Sequence, residues 1–267
     1  MTMRCPLVFV LGCARSGTSI LGETLAAHPD VHFCFEDNLI WDRAFPNRTD
    51  DRLTAADVSA CSVRTVLEER MAHLIAEADG STIVDKNPKH TLRVNFLAEL
   101  FPEARFVHIL RDGRDTVASL MFRNRGDEWG HLKIPGWQDL LERYPDKNHV
   151  RCAHQWRDAV QTARQAGQSL GADRYHELRY ESLVENASEN MAAMLAFVGL
   201  SMAPEVEEAA AKIQNATAGS YHARRQVRHF VDNHAARVGR YRENLSDEQL
   251  GEVVEVCGEL LGELGYE

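Results

Sequence analysis

The sequence lacks the features that mark several other classes of protein. Its 267 residues contain no apolar run close to the roughly eighteen residues that a membrane-spanning helix requires, and residues 1–4 do not have the composition of a secretory leader. The six cysteines include no C-x-x-C pair and no zinc-ligand spacing. We therefore expect a cytoplasmic protein with free thiols, without a membrane span and without a bound metal.

Positive charge is also in deficit, because 40 acidic residues outnumber 30 lysines and arginines and leave a formal net charge of −10. A nucleic-acid backbone requires a basic face, so binding to DNA or RNA is not expected. Residues 221–242 are the exception, and this stretch indicates either an anionic ligand or a solvated surface loop. Its arginines are Arg224, Arg225, Arg228, Arg237, Arg240 and Arg242.

The pattern of apolar residues predicts a single domain over residues 1–267, with alternating strands and helices. Predicted strands lie at residues 7–11, 31–35, 81–84, 105–110 and 175–180. The main predicted helices lie at 19–27, 58–78, 91–101, 150–170, 188–198, 203–214 and 247–264. Three successive strand-turn-helix units predict parallel strands whose following loops meet at one sheet edge. An irregular insert at about 124–149 and a basic closing loop at about 215–242 complete the chain.

The loop after the first predicted strand reads Gly12-Cys13-Ala14-Arg15-Ser16-Gly17-Thr18-Ser19. Two glycines that let the backbone curl, followed by a helix N-terminus, are typical of a phosphate cradle. The motif is close to G-x-x-x-x-G-K-[ST], but Thr18 stands where the lysine that reaches a terminal nucleotide phosphate belongs. Arg15 is the strong cation of this loop, which favours a shorter phosphate-linked anion. The alternative is a glycine-rich turn that binds nothing.

Charged side chains follow the other predicted strands. Glu36 follows the second strand and Lys86 the third, whereas Arg111 follows the fourth with Ser119 eight positions later. Ligands of open α/β sheets bind at the carboxyl ends of the strands, so we expect these residues to converge on the loop at 15–19. An arginine at a strand end and a serine in the next helix can hold one phosphate dianion from two sides; a surface ion pair and an ordinary helix serine are the alternatives.

Four motifs occur in order between residues 7 and 200. They are Arg15-Ser16-Gly17-Thr18-Ser19, Asp85-Lys86-Asn87-Pro88, Leu110-Arg111-Asp112-Gly113-Arg114-Asp115 with Ser119, and Leu178-Arg179-Tyr180-Glu181-Ser182-Leu183. This series resembles the sulfotransferases that use 3′-phosphoadenylyl sulfate. The resemblance implies a three-layer α/β/α fold with a central parallel sheet, related to the P-loop nucleotide hydrolases. It also implies sulfuryl transfer to a hydroxyl of a glycan, lipid or small-molecule acceptor, with no metal required.

The resemblance also implies roles for individual residues. It places Arg15, Ser16, Gly17, Thr18 and Ser19 around the 5′-phosphosulfate, Arg111 and Ser119 on the 3′-phosphate, and Tyr180 against the adenine. Lys86 would lie beside the bridging oxygen, and Glu36, or as second choice His90, would accept the proton of the acceptor. Arg237 would close over the 3′-phosphate, with Arg224 and Arg225 as rivals. A tyrosine such as Tyr180 is equally compatible with the core.

Two other functions fit the same motifs. A small-molecule kinase of the related nucleotide-loop fold predicts binding of Mg-ATP and a lysine at position 18. A non-catalytic nucleotide-binding protein predicts that Glu36→Ala and Lys86→Ala leave biological activity intact. Neither the acceptor nor the oligomeric state follows from these motifs.

Overall fold

The computed structural model describes residues 5–38, 44–59, 61–121, 129, 132–214 and 234–266. Its sheet consists of β1 (Leu7–Leu11), β2 (Val31–Phe35), β3 (Thr82–Lys86), β4 (Arg105–Leu110) and β5 (Tyr175–Arg179). The strands lie in the order β2-β3-β1-β4-β5, and each pairing is parallel. The predicted parallel sheet is therefore confirmed, and the loops that follow its strands meet at one edge.

The helices of the described residues connect these strands and cover the sheet. They are α1 (Thr18–Leu25), α2 (Cys61–Ala78), α3 (Val94–Leu100), α4 (Gly113–Met121), α5 (Trp137–Arg143), α6 (Asn148–Gln168), α7 (Tyr180–Glu185), α8 (Ala187–Val198), α9 (Pro204–Gln214), α10 (Tyr241–Asn244) and α11 (Asp247–Glu263). Short 3-10 turns lie at Ala55–Ser59, Pro88–Leu92 and Ala235–Arg237. None of the described helices combines the length and the apolar character needed to cross a membrane.

Strand β1 lies at the centre because its sequence is apolar on both faces. Leu7, Phe9 and Leu11 pack with residues of α2, α3 and α6. Val8 and Val10 point to the other face and pack with residues of α1, α8 and α9. Helices therefore cover both faces of the sheet, which confirms the predicted three-layer α/β/α fold.

The region after β3 differs from its prediction. Strand β3 continues to Lys86, so the charged residues at its end lie within the strand rather than after it. The predicted helix at 91–101 is divided into the 3-10 turn Pro88–Leu92 and α3. The turn begins early because the side chain of Asn87 accepts a backbone N–H within it and a proline follows directly.

The irregular segments are described in part, because residues 122–128, 130–131 and 215–233 lie outside the described residues. The prediction that the insert lacks regular structure is wrong for Trp137–Arg143, which form α5. Its first residue is anchored by an indole N–H that donates to the carbonyl of Thr49 (2.8 Å). The predicted strand at 175–180 also ends one residue early, and Tyr180 begins α7.

Candidate active site

The loop between β1 and α1 forms a curled backbone at the carboxyl edge of the sheet. Gly17 has a φ of 101° and Arg15 a φ of 74°, both in the left-handed region that favours glycine. A Cβ on Gly17 would lie 2.5 Å from Cδ2 of Tyr180, so a larger residue does not fit there. The N–H of Ser16 donates to the carbonyl of Cys13 (3.0 Å), which closes the curl in front of the N-terminus of α1.

Two buried polar groups at this loop have no hydrogen-bond partner among the described residues. Ser16 is 1% exposed and its Oγ is unpartnered, as is Nε of Arg111, a residue that is 5% exposed. An unsatisfied buried polar group costs about 1–3 kcal/mol, more when it is charged. The arrangement therefore fits an anionic guest that accepts from a hydroxyl and a guanidinium.

Arg111, the first residue after β4, connects the loop to the rest of the site. Its Nη1 donates to the carbonyl of Arg15 (3.1 Å) and its Nη2 to the carbonyl of Arg237 (2.7 Å). Nε of Arg15 in turn donates to Oγ of Ser119 in α4 (3.1 Å). The structure thus brings the two predicted anion-binding groups, loop 15–19 and the Arg111–Ser119 pair, into direct contact.

Tyr180 forms a wall between these two groups. Its ring centroid lies 4.6 Å from Cζ of Arg111, and its edge lies against Gly17. Burial raises the pKa of the Tyr180 phenol, which therefore stays protonated and donates to the carbonyl of His234 (3.3 Å). His234 Nδ1 lies 3.2 Å from the same hydroxyl. Burial, with the charges of Arg237 and Arg111, lowers the pKa of His234 to about 4.

Lys86 lies at the end of β3, on the other side of β1 from Arg111, which follows β4. Its side chain is 1% exposed, its Nζ donates to Oγ of Ser19 (3.0 Å), and it forms a short ion pair with the carboxylate of Glu36. Burial lowers the pKa of Lys86, and the negative charge of Glu36 opposes that shift. The ammonium lies 4.5 Å from the ring centroid of Phe35. A buried cation and a carboxylate therefore lie beside the phosphate-type loop.

The backbone of Glu36 is strained. Its φ is 46°, a left-handed value that a residue with a side chain seldom adopts. The N–H of Glu36 donates to the carbonyl of Lys86 (2.9 Å), so the end of β2 is held while the chain turns. This conformation directs a side chain that is 37% exposed toward Lys86. Strained residues of this kind cluster at functional sites.

The structure does not bring His90 to the ion pair of Lys86 and Glu36. The register pairs Phe9 with Asp85 and Val10 with Lys86, so Asp85 and Lys86 point to opposite faces of the sheet. His90 is fully buried on the face of Asp85, with Nε2 3.1 Å from that carboxylate and its ring edge-on to Phe9. The second choice for the base is therefore separated from Lys86 by the sheet.

Residues 6–204 match the model of the Sulfotransferase family. The chain belongs to the sulfotransferase family. It is similar to the protein-tyrosine sulfotransferase of Drosophila melanogaster, with 28% identity over 203 residues that cover 72% of this chain and 38% of the relative. It is also similar to nodulation protein NoeE of Sinorhizobium fredii, with 28% identity in an alignment 292 positions long, gaps included, that covers 98% of this chain and 66% of the relative. The chain thus spans less than two thirds of the length of either relative.

Solved sulfotransferase structures share this fold. The sulfotransferase domain from the curacin biosynthetic pathway has a TM-score of 0.68 at 15% identity, covering 100% of this chain and 99% of that domain. Mouse sulfotransferase SULT7A1, complexed with PAP, has a TM-score of 0.56 at 14% identity, covering 97% of this chain and 85% of the mouse chain. At sequence identities this low, the similarity to these two structures concerns the fold alone. The arrangement of sheet and helices in this sulfotransferase-family chain agrees with that fold.

Two acids near the site of this sulfotransferase-family chain were given no role by the sequence motifs. Asp115 lies one turn after Arg111 in α4, and its carboxylate accepts backbone N–H groups of Gly239 and Tyr241. Glu23 lies one turn after Ser19 in α1; burial raises its pKa, and the nearby charge of Lys86 opposes that shift. The spacing of four residues from a predicted site residue was the available signal for both.

Arg237 lies in the segment predicted to close over the site, and Cys13 lies in the loop after β1. The carbonyl of Arg237 accepts from Arg111, so the backbone of this residue lies beside Arg111, and its contact with the 3′-phosphate stays a prediction. Its rivals Arg224 and Arg225 lie outside the described residues. Cys13 is fully buried, and burial raises the pKa of its thiol far above the usual range. It is therefore a core residue rather than a reactive thiol.

Proposed function

We propose that this chain moves a sulfuryl group from 3′-phosphoadenylyl sulfate to an acceptor hydroxyl and releases adenosine 3′,5′-bisphosphate. The observation that carries the proposal is the direct contact between two anion-binding groups at one edge of the sheet. Arg111 donates to the carbonyl of Arg15, and Arg15 donates to Ser119. One adenosine nucleotide with phosphates at both ends is the ligand class that spans such a pair.

Residues of this chain form two subsites, one for each phosphate-bearing end of the donor nucleotide. Ser16 Oγ and the N–H groups of the curled loop bind the 5′ end, since that hydroxyl has no partner among the described residues. Arg111 and Ser119 bind the 3′-phosphate, with the unpartnered Nε of Arg111 as a donor. Gly17 keeps the backbone close to this end, because a Cβ there would collide with Tyr180. Tyr180 closes the space between the two subsites.

Lys86 and Glu36 carry the transfer. The donor supplies an activated sulfuryl group; the residues must stabilise the charge that grows on the leaving phosphate and accept a proton from the acceptor. The buried ammonium of Lys86, oriented by Ser19, supplies the positive charge where little water screens it. The carboxylate of Glu36 is open enough to meet an acceptor hydroxyl and takes its proton.

The acceptor class is supported by the names of the relatives. The relatives called protein-tyrosine sulfotransferases favour a phenolic hydroxyl, which would meet Glu36 at the open side of the Lys86 pair. Glycan, lipid and small-molecule hydroxyls are the alternative acceptors. Each class requires the same base and the same leaving-group cation, so the donor chemistry does not depend on the choice.

The experiment that tests the donor class is calorimetric titration with adenosine 3′,5′-bisphosphate and with ATP. We expect tight binding of the bisphosphate and weak binding of ATP, because position 18 holds a threonine in place of the kinase lysine. Transfer of radiolabelled sulfate to a tyrosine peptide, an oligosaccharide and a phenol then identifies the acceptor class. Tight ATP binding with no response to the bisphosphate would overturn the proposal in favour of a kinase.

Two variants distinguish an enzyme from a nucleotide-binding protein without turnover. Glu36→Ala and Lys86→Ala should lose turnover and keep the affinity for adenosine 3′,5′-bisphosphate, because Arg111 and the loop 15–19 hold the nucleotide. Unchanged transfer in both variants would contradict the roles that we propose for this pair.

A further inference from the structure

Asp115 fastens a distant segment of the chain to α4. Its Oδ2 accepts the N–H of Gly239 and its Oδ1 accepts the N–H of Tyr241, each at 2.8 Å. The acceptor and the donors are separated by 124 and 126 positions in the chain. The carboxylate itself is fully buried. Asp115 therefore anchors residues 237–241, here named the closing turn, against α4.

The same carboxylate also faces Arg111. Oδ2 of Asp115 lies 3.7 Å from Nη2 of Arg111, and that nitrogen donates to the carbonyl of Arg237 at the start of the closing turn (2.7 Å). Burial raises the pKa of Asp115, while the charge of Arg111 and the two N–H donors oppose that shift. Asp115, Arg111 and the closing turn thus form one hydrogen-bonded group.

We propose that Asp115 is a positioning residue that holds the closing turn over Arg111 and so gives the site its preference for a nucleotide with a 3′-phosphate. This inference rests on the proposed function. Arg111 is held by the carbonyls of Arg15 and Arg237, and its Nε, which has no partner among the described residues, remains as a donor for the 3′-phosphate. If the closing turn shifts, Nη2 loses its acceptor and the guanidinium no longer presents the same donors.

Electrostatics alone predicts that removing the charge of Asp115 tightens the binding of the 3′-phosphate, whereas positioning predicts that it weakens this binding. Asp115→Asn removes a negative charge close to Arg111, which by Coulomb's law makes the site more attractive to a phosphate. The amide has one oxygen for two backbone N–H donors, so the closing turn loses one of its two anchors. Positioning therefore predicts weaker binding where charge alone predicts tighter binding, and the sign of the change separates them.

The test is calorimetric titration of the full chain with adenosine 3′,5′-bisphosphate and with 5′-AMP, which lacks the 3′-phosphate. We expect Asp115→Asn to bind the bisphosphate at least about tenfold more weakly, the size of one lost hydrogen bond to a charged group, and to bind 5′-AMP as before. The matched control is Asp51→Asn. Asp51 is also buried, and it holds a different segment by accepting the N–H of Lys133 (2.8 Å). The Asp51→Asn variant should keep the native preference for adenosine 3′,5′-bisphosphate over 5′-AMP.

A second variant tests the closing turn without removing a charge. Gly239 has a φ of 75°, a left-handed value that alanine adopts only with strain, so Gly239→Ala disturbs the turn while Asp115 remains. We expect the same selective loss of bisphosphate affinity, and this variant serves if Asp115→Asn does not fold. Equal or tighter bisphosphate binding in the folded variants, with preference intact in the native chain, would overturn the inference. A native chain that binds both nucleotides equally would instead overturn the proposed function.

Discussion

Replacement of Lys86 by methionine should separate stability from activity. The lysine is 1% exposed, and burial lowers its pKa although Glu36 opposes that shift, so the folded state holds the ammonium less favourably than water does. Methionine has a similar length and needs no solvation. The folded chain should therefore tolerate Lys86→Met, whereas the reaction should not.

The expected change in the free energy of unfolding follows from how Lys86 and Glu36 are each solvated in the folded chain. Replacing both members of a buried ion pair by apolar groups of similar volume is often neutral or stabilising by about 1–4 kcal/mol, whereas removing one member is costly when the other is left as a buried, unpaired charge. Glu36 is left without its partner, but its side chain is 37% exposed and the loss costs less than about 1 kcal/mol. We expect the free energy of unfolding to stay level or to rise by about 1–2 kcal/mol. The rate constant kcat should fall by about 10²–10³, as the loss of one preorganised electrostatic group predicts.

The assay pairs urea unfolding, followed by circular dichroism, with transfer of radiolabelled sulfate. The control is Lys212→Met, which removes an exposed lysine from its pair with Glu208 (2.7 Å) and should change the free energy of unfolding by no more than about 0.5 kcal/mol. A Lys86→Met protein that unfolds far more easily than the native chain would refute the account of burial. One that keeps more than about a tenth of native turnover would refute the assigned role of the lysine.

Three other perturbations address the loop, the strained residue and a buried histidine. Gly17→Ala places a Cβ 2.5 Å from the ring of Tyr180, so it should weaken binding of adenosine 3′,5′-bisphosphate and destabilise the fold by about 1–3 kcal/mol. The control is Gly251→Ala, where a Cβ meets nothing within 4 Å. Equal effects of the two variants in calorimetry and in unfolding would contradict the role of Gly17 in the phosphate-binding loop. In urea unfolding, Glu36→Gly should be more stable than Glu36→Ala by about 1–2 kcal/mol, because glycine adopts the φ of 46° without strain. If Glu36→Ala were the more stable variant, the backbone at this position would not be strained. Burial lowers the pKa of His108 from 6.5 to about 4, so between these pH values the unfolded chain binds a proton that the folded chain does not. This histidine should therefore make the free energy of unfolding rise with pH across this window by up to about 3 kcal/mol. His234, with its similarly lowered pKa, contributes in the same window, so His108→Gln should reduce the rise without abolishing it, and an unchanged pH dependence would contradict this account.

Local pattern was enough to predict the frame of the site. Five consecutive apolar residues in β1 predict a buried central strand, and the structure has the predicted bounds. The glycine-bounded loop that follows predicts a curled backbone, and Gly17 has the left-handed φ that such a curl requires. These features depend on neighbouring residues only. The convergence of Lys86 and Glu36 was also predictable, because parallel strands end at one edge of a sheet.

What the sequence determined by itself is therefore the order of strands and helices and the edge at which the charged residues gather. What only the tertiary structure decided is which of those residues touch. His90 is near Lys86 in the chain, yet strand register places it on the other face, while Glu36 comes from another strand to pair with the lysine. Asp115 meets a turn more than 120 positions away. Such contacts depend on long-range packing, which a periodicity of two or four residues does not encode.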